Sequence, residues 1–258
     1  MNSAFSIRGN RTFILGGTAG IGLGIARHFI ADGASVAIAG RRANGQAIAD
    51  QIGADFIQLD LADPESIGEG MKQAAERLGG GFDTLILNAG MTAEAGEVGS
   101  LDMKLFRRVF EINLFGVTQA MRDGLAHMAP GSSIIVTSSP IVNALVAGVS
   151  AYAASKAAID TVVKSAALEL GPRGIRVNAV LPGVVETEMA LDPAALQEEL
   201  EILSTLTANG KVRQPADLAP PFQFLASEAG KVCTGALLAC DDGAMAGFSQ
   251  PLMQRAFS

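Results

Sequence analysis

Tyr152 is the only tyrosine in the chain, and Lys156 follows it by four positions. On a helix, residues four apart share a face, so this spacing sets an ammonium beside a phenol. A phenol with a pKa of about 10 is a poor base at neutral pH, and a neighbouring cation favours the phenolate. A bare Tyr-x-x-x-Lys is common, and a surface aromatic with a cationic neighbour is the plain alternative. Ser139 lies thirteen residues before Tyr152, at the end of Val136-Thr137-Ser138-Ser139. A hydroxyl at the carboxyl end of an apolar run is suited to donate a hydrogen bond to a substrate carbonyl oxygen. Asn113 falls inside a long helical pattern, in Glu111-Ile112-Asn113-Leu114-Phe115-Gly116. An amide there is mildly unfavourable and often has a reason to be present.

A second group of residues has the chemistry of a phosphate cradle. Gly16-Gly17-Thr18-Ala19-Gly20-Ile21-Gly22 follows an apolar run and opens a helical one. Glycine there permits a tight turn and a close backbone approach to a pyrophosphate, and the following helix N-terminus presents unpaired N–H groups. Gly16, Thr18, Gly20, Ile21 and Gly22 are the candidate contacts. The next apolar run ends in Gly40-Arg41-Arg42. An acid at this point would hold a ribose 2′-hydroxyl. Gly40 has no carboxylate to repel a 2′-phosphate, and Arg41 and Arg42 offer forked cationic donors to one. This favours NADP(H), with NAD(H) as the alternative. A solvated Arg pair ending the loop is the plain reading. Asp60, followed by Leu61, and then Asn88-Ala89-Gly90 end two further runs, where ligands bind in parallel sheets.

These residues need elements to position them. Thr12–Leu15, Ser35–Ala39, Phe56–Leu59, Thr84–Leu87, Ser133–Thr137, Arg176–Leu181 and Ala236–Ala239 are short apolar runs of the kind buried parallel strands require. Helical patterns alternate with them: Gly20–Asp32, Arg42–Ile52, Pro64–Leu78, Leu101–His127, Ala151–Leu170 and Pro215–Ala226. The alternation predicts one α/β domain over residues 1–258, a doubly wound and mostly parallel seven-stranded sheet flanked by helices. Residues 186–211 break the rhythm and predict a loop with a short amphipathic helix. This stretch, with Met189, Leu191, Leu196, Leu200, Ile202 and Leu206, is the candidate cover for a substrate.

Composition narrows the classes. Of the 258 residues, 49% are apolar and 17% charged, enough for a large core. The net charge of −7 disfavours a nucleic-acid binder. Cys233, Cys240, His28 and His127 form no pattern of metal ligands. No apolar stretch reaches the length of about 18 residues that a membrane span requires, and the first residues lack the order of a secretion signal. A cytoplasmic protein is expected.

Gly16–Gly22, Asp60, Asn88-Ala89-Gly90, Asn113, Ser139, Tyr152, Lys156 and Pro182-Gly183 occur in an order and spacing that resembles the short-chain dehydrogenase/reductase family, over nearly the whole chain. The resemblance implies a Rossmann fold and transfer of a hydride between NADP(H) and the carbonyl or secondary alcohol of a small substrate; the apolar content of residues 186–211 fits an apolar one and equally fits helix packing. It implies that Tyr152 exchanges the proton, Ser139 orients the carbonyl, Lys156 also holds the nicotinamide ribose, and Asn113 positions a water. It further implies adenine contact at Asp60, carboxamide contact at Val185, and contact of Thr187 with phosphate or nicotinamide. A homotetramer, or a homodimer, is expected on the same ground. Reduction of a 3-oxoacyl group on a carrier protein is one alternative; a non-catalytic NADP-sensing module is another. Leu15, Leu87, Pro140 and Asp242 depart from the family pattern, which commonly has Thr, Asn and Gly at positions 15, 87 and 242.

Overall fold

The computed structural model describes residues 3–93, 95–143, 145–187 and 196–256, with the backbone alone at 196–199. Its centre is a seven-stranded sheet with every neighbouring pair parallel. The strands are β1 (Arg11–Leu15), β2 (Ser35–Gly40), β3 (Asp55–Gln58), β4 (Thr84–Leu87), β5 (Ser133–Thr137), β6 (Arg176–Pro182) and β7 (Leu237–Cys240). Their order is β3-β2-β1-β4-β5-β6-β7, so the winding reverses between β1 and β4. Helices run outward in both directions from that point and leave a crevice at the carboxyl ends of the strands.

Continuous apolar runs suit these strands because both faces are covered. Phe13 and Leu15 of β1 join one core layer, while Ile14 between them joins the other with Ile38, Ile86, Ile135 and Val180. Side chains of a strand alternate between faces, so one short run serves both layers. The helices begin where capping chemistry tells them to. Asp63 accepts from the backbone N–H groups of Glu65 and Ser66 to start α3 (Pro64–Arg77), with Pro64 in the first turn. Asp102 accepts from Lys104 and Leu105 to start α4 (Met103–Phe110).

Several elements differ from the sequence expectation. The pattern Leu101–His127 is not one regular helix. α4 passes into a π-helical turn, Glu111–Gly116, before α5 (Val117–Gly124) and a 3₁₀ turn at Leu125–His127. A close contact accompanies the irregular turn: a Cβ on Gly116 would lie 2.1 Å from the Leu61 carbonyl oxygen. The helix expected from Arg42 starts at Gly45 instead (α2, Gly45–Ile52), where a Cβ would stand 2.2 Å from the Phe56 ring. β3 lies one residue earlier than expected and β7 one residue later. The pattern at Pro215–Ala226 is a 3₁₀ turn, Pro215–Leu218, running into α8 (Ala219–Ala226).

The remaining helices complete the layers. α1 (Gly20–Ala31) follows the glycine loop, and α6 (Ser150–Leu170) carries Tyr152 and Lys156. The expected amphipathic helix in the 186–211 stretch is α7 (Leu196–Ser204), whereas Met189 and Leu191 lie outside the described residues. A final α9 (Gln250–Ala256) was not legible in the pattern. No helix among the described residues is long and apolar enough to cross a membrane.

Candidate active site

A cleft of about 1020 Å³ opens at the carboxyl ends of the strands. Its walls bring together Gly16, Thr18, Gly20 and Ile21 from the glycine loop, Arg41 and Arg42 after β2, and Asp60 and Leu61 after β3. Asn88, Ala89 and Gly90 follow β4; Ser139 follows β5; Tyr152 and Lys156 come from α6; Pro182, Gly183, Val185 and Thr187 come from the end of β6. Gly22 and Asn113 do not reach the cleft wall. Gly22 is buried under the loop, where a Cβ would fall 2.2 Å from the Gly16 carbonyl oxygen, so it sets the approach of α1 to the loop.

The glycine loop is shaped by its contacts. Gly16 has φ +78°, which favours glycine, and a Cβ there would sit 2.8 Å from the Ala89 backbone. Ala19 at the start of α1 provides no side-chain cap, and no acid occupies the first turn. The amino-terminal N–H groups therefore face the cleft with the positive end of the helix dipole and no competing carboxylate. Gly40 lies against this loop: a Cβ would meet the Thr18 Oγ1 at 2.8 Å. An acid at position 40 would collide with Thr18 as well as bring negative charge. Arg41 is exposed, with Nη1 4.0 Å from the Asp60 carboxylate, a weak pairing that leaves the guanidinium room to reach other anions. Asp60 also closes its own turn, accepting from the Ala62 N–H at 3.0 Å.

At the centre of the crevice, hydrogen bonds tie three strands to α6. Asn88 donates to the Gly16 carbonyl at 3.2 Å and accepts from the Thr137 hydroxyl at 3.0 Å. The Lys156 ammonium donates to the Thr137 carbonyl at 2.8 Å and lies 5.6 Å from the centre of the Tyr152 ring. Sequence reasoning passed over Thr137 because its role needs the β4–β5 pairing and the position of α6; the signal available was its place in a run of hydroxyl residues. The Ser139 hydroxyl faces the phenol, and its oxygen accepts from the Ile141 N–H at 3.3 Å, opening a short turn with Pro140 in first position.

Burial dominates the electrostatics. It pushes the Tyr152 phenol above its ordinary value, with the Ser139 hydrogen bond pulling partly the other way. The expected lowering of that value by Lys156 is therefore not what this arrangement produces. Lys156 is itself 6% exposed, and burial brings its pKa down to about 8 against the pull of Asp160. A protonated phenol, a hydroxyl and a partly titrating ammonium at one point form a set that can donate a proton and a hydrogen bond to one oxygen.

Asn113 stands behind this set. Its amide donates to the Met91 carbonyl at 2.8 Å and the Ser155 hydroxyl at 3.1 Å, and its oxygen accepts from the Met91 N–H at 2.8 Å. Ser155 in turn donates to the Tyr152 carbonyl at 2.7 Å. With both donors engaged and 1% of the residue exposed, the side chain joins the β4 loop to α6. Among the departures from the family pattern, Asp242 adopts φ +53°, a left-handed conformation, and receives two hydrogen bonds from the Arg213 guanidinium at 2.5 and 2.7 Å. Leu15 and Leu87 are simply buried in their strands. Among the described residues no cluster of His, Cys, Asp and Glu could hold a metal ion.

Comparison with known proteins agrees with this architecture. A family model described as enoyl-(acyl carrier protein) reductase matches residues 16–245. A cis-4-hydroxycyclohexanecarboxylate dehydrogenase of Sinomonas cyclohexanicum is 34% identical, covering 94% of this chain and 98% of its own. An NADP-dependent (R)-specific alcohol dehydrogenase of Lentilactobacillus kefiri is 35% identical, covering 92% of this chain and 97% of its own. A short-chain dehydrogenase of Burkholderia cenocepacia, solved in complex with NADP, superposes with a TM-score of 0.85 at 33% identity, covering 93% of this chain and 99% of its own. A reversal of winding at β1 and β4, a glycine loop at that point and a Tyr–Lys pair on α6 thus accompany whole-length similarity, and the chain belongs to the short-chain dehydrogenase/reductase family.

Proposed function

We propose that this protein is an NADP(H)-dependent oxidoreductase acting on the carbonyl or secondary alcohol of a small, uncharged, apolar substrate. One observation carries the reading: the phenol of Tyr152, the hydroxyl of Ser139 and the ammonium of Lys156 converge at one end of a cleft whose other end holds the glycine loop and Arg41. The residues present suit the cofactor. Gly16, Thr18, Gly20 and Ile21 with the α1 N-terminus would hold its pyrophosphate, and Arg41 and Arg42 its 2′-phosphate. Asp60 and Leu61 would border the adenine, and Asn88, Ala89 and Gly90 the adjoining ribose. Lys156 would reach the second ribose, with Pro182, Gly183, Val185 and Thr187 around the nicotinamide. The bare, crowded position at Gly40 and the NADP-bound and NADP-dependent relatives support NADP(H) over NAD(H). When bound, the nicotinamide supplies or accepts the hydride.

The chain's own part is proton and charge management. Tyr152, kept protonated by burial, donates to the carbonyl oxygen during reduction and takes the proton back during oxidation. Ser139 donates a hydrogen bond to the same oxygen as its charge grows. Lys156 supplies positive charge behind the phenol. Asn113 acts from behind, fixing the β4 loop against α6 through Met91 and Ser155.

The substrate end of the cleft is lined by Ala93, Ile141, Val146, Val149 and Leu203. Between Glu186 and Gly210 the sequence holds six acids and no base. The five side chains lining this end carry no base to receive a carboxylate, which favours a neutral substrate over an anionic one. The test is a panel of neutral and carboxylated ketones and aldehydes followed at the NADPH absorbance band. Turnover of apolar neutral ketones supports the reading, and turnover confined to carboxylates or acyl-carrier substrates refutes it. A cytoplasmic homotetramer belongs to the same reading. Exposed apolar side chains at Phe115 and Leu168 support assembly, and a monomer by light scattering at micromolar concentration would contradict it.

A further inference from the structure

α6 carries one more ionisable residue behind the reactive pair. Asp160 follows Lys156 by four positions and so lies on the same face of the helix, one turn deeper. It is 5% exposed, between the core residues Ile159 and Val163 of its neighbouring faces. Its Oδ1 is buried without a hydrogen-bond partner, and so is the hydroxyl of Ser138, the residue next to Ser139. Leaving such groups buried is costly, and an apolar side chain would pack here at lower cost.

Cationic and polar groups act on the carboxylate from α6 and from the end of β5. The charged groups that act on Asp160 are Lys156 and Lys164, both from α6, and the Ser138 hydroxyl faces it from the end of β5. Burial pushes the Asp160 carboxyl above its ordinary value, with these three groups pulling partly the other way. In the other direction, Asp160 is the group that supports the charge of Lys156 against burial. Lys156 is fixed at its tip by the Thr137 carbonyl, a neutral acceptor, so the nearby negative charge comes from Asp160.

We propose that Asp160, buried one turn below Lys156 on the same face of α6, is a positioning residue that keeps the Lys156 side chain in its ammonium form behind Tyr152. It touches neither substrate nor cofactor and acts through Lys156. Its use in catalysis rests on the function proposed above, but the charge coupling itself does not need a substrate.

The experiment is a pH titration of lysine ¹³Cε resonances in the cofactor-free protein, with Lys156 assigned through Lys156→Arg. The native midpoint is expected at about 8. Asp160→Asn is expected to lower it by about half a unit or more, and Asp160→Glu to return it toward the native value. NADPH affinity in Asp160→Asn is then expected to fall about twofold or more at pH 8 and to stay native at pH 6.5, where Lys156 is charged in both proteins. An unchanged Lys156 midpoint, or an equal loss of affinity at both pH values, overturns the proposal. If Asp160→Asn does not fold, Asp160→Ser takes its place. It removes the charge and keeps a polar side chain, so the midpoint must move the same way, and a static midpoint is again a refutation. Failure of the native enzyme to reduce any carbonyl would refute the proposed function and leave this titration readable.

Discussion

Raising the pH from 7 to 9 is expected to weaken NADPH binding about tenfold through one side chain, Lys156. Burial brings its pKa down to about 8, so the ammonium is present below that value and lost above it. About nine-tenths of the side chains are charged at pH 7 and about one-tenth at pH 9. If the charged form holds the nicotinamide ribose, the apparent Kd rises by that ratio, about 1.4 kcal/mol. Burial moves the Tyr152 phenol upward and the Cys240 thiol up to about 11. Lys156→Met keeps most of the apolar stem and removes the amine, leaving the Thr137 carbonyl without that donor. The variant is expected to bind more weakly at pH 7 and to show a flat profile from 7 to 9. The assay is NADPH fluorescence titration at constant ionic strength, because attraction of phosphate to Arg41 and Arg42 is screened by salt. A native Kd that stays constant between pH 7 and 9, or a Lys156→Met profile with the native slope, refutes the reasoning.

Tyr152→Phe keeps the ring and loses the proton, so turnover is expected to fall by at least about 10²-fold with little change in NADPH affinity; Ser139→Ala is expected to cost about 10²–10³-fold in kcat. Steady-state kinetics on any accepted ketone, paired with cofactor titration, checks both. Arg41→Ala is expected to weaken NADPH binding and leave NADH binding near native, since its guanidinium is exposed and only loosely paired with Asp60; equal losses for the two cofactors would contradict the 2′-phosphate assignment. Gly116→Ala forces a Cβ toward the Leu61 carbonyl and is expected to destabilise the fold by about 1–3 kcal/mol, read as a lower denaturation midpoint in urea.

Local chemistry was legible wherever a short stretch of chain suffices. The apolar runs marked all seven strands within about a residue or two, because a strand buried on both faces needs apolar side chains at nearly every position. The glycine loop was legible because tight turns and close approaches demand glycine at fixed offsets, and Gly16 and Gly22 meet those demands. Helix starts were less so. α2 begins at Gly45 rather than Arg42, and Gly45 lies against the Phe56 ring, a contact from another element that no local pattern carries.

By itself the sequence determined the parallel architecture, the glycine loop between β1 and α1, and the placing of Tyr152 and Lys156 on one helical face, since strand burial, turn geometry and helical periodicity all act within a few residues. Tertiary structure decided what those groups experience. The Asn113 amide is engaged by Met91 and Ser155, residues 22 and 42 positions away, partners that no local pattern carries. The same approach brings the π-helical turn to Leu61. Lys156 finds the Thr137 carbonyl, and Asp242 finds Arg213, only once β5, β6 and β7 are paired. Charge shows the division most clearly. Spacing puts the ammonium near the phenol, yet whether the phenol's pKa rises or falls depends on how much water the whole fold removes from it, and that burial is assembled from residues distant in the chain.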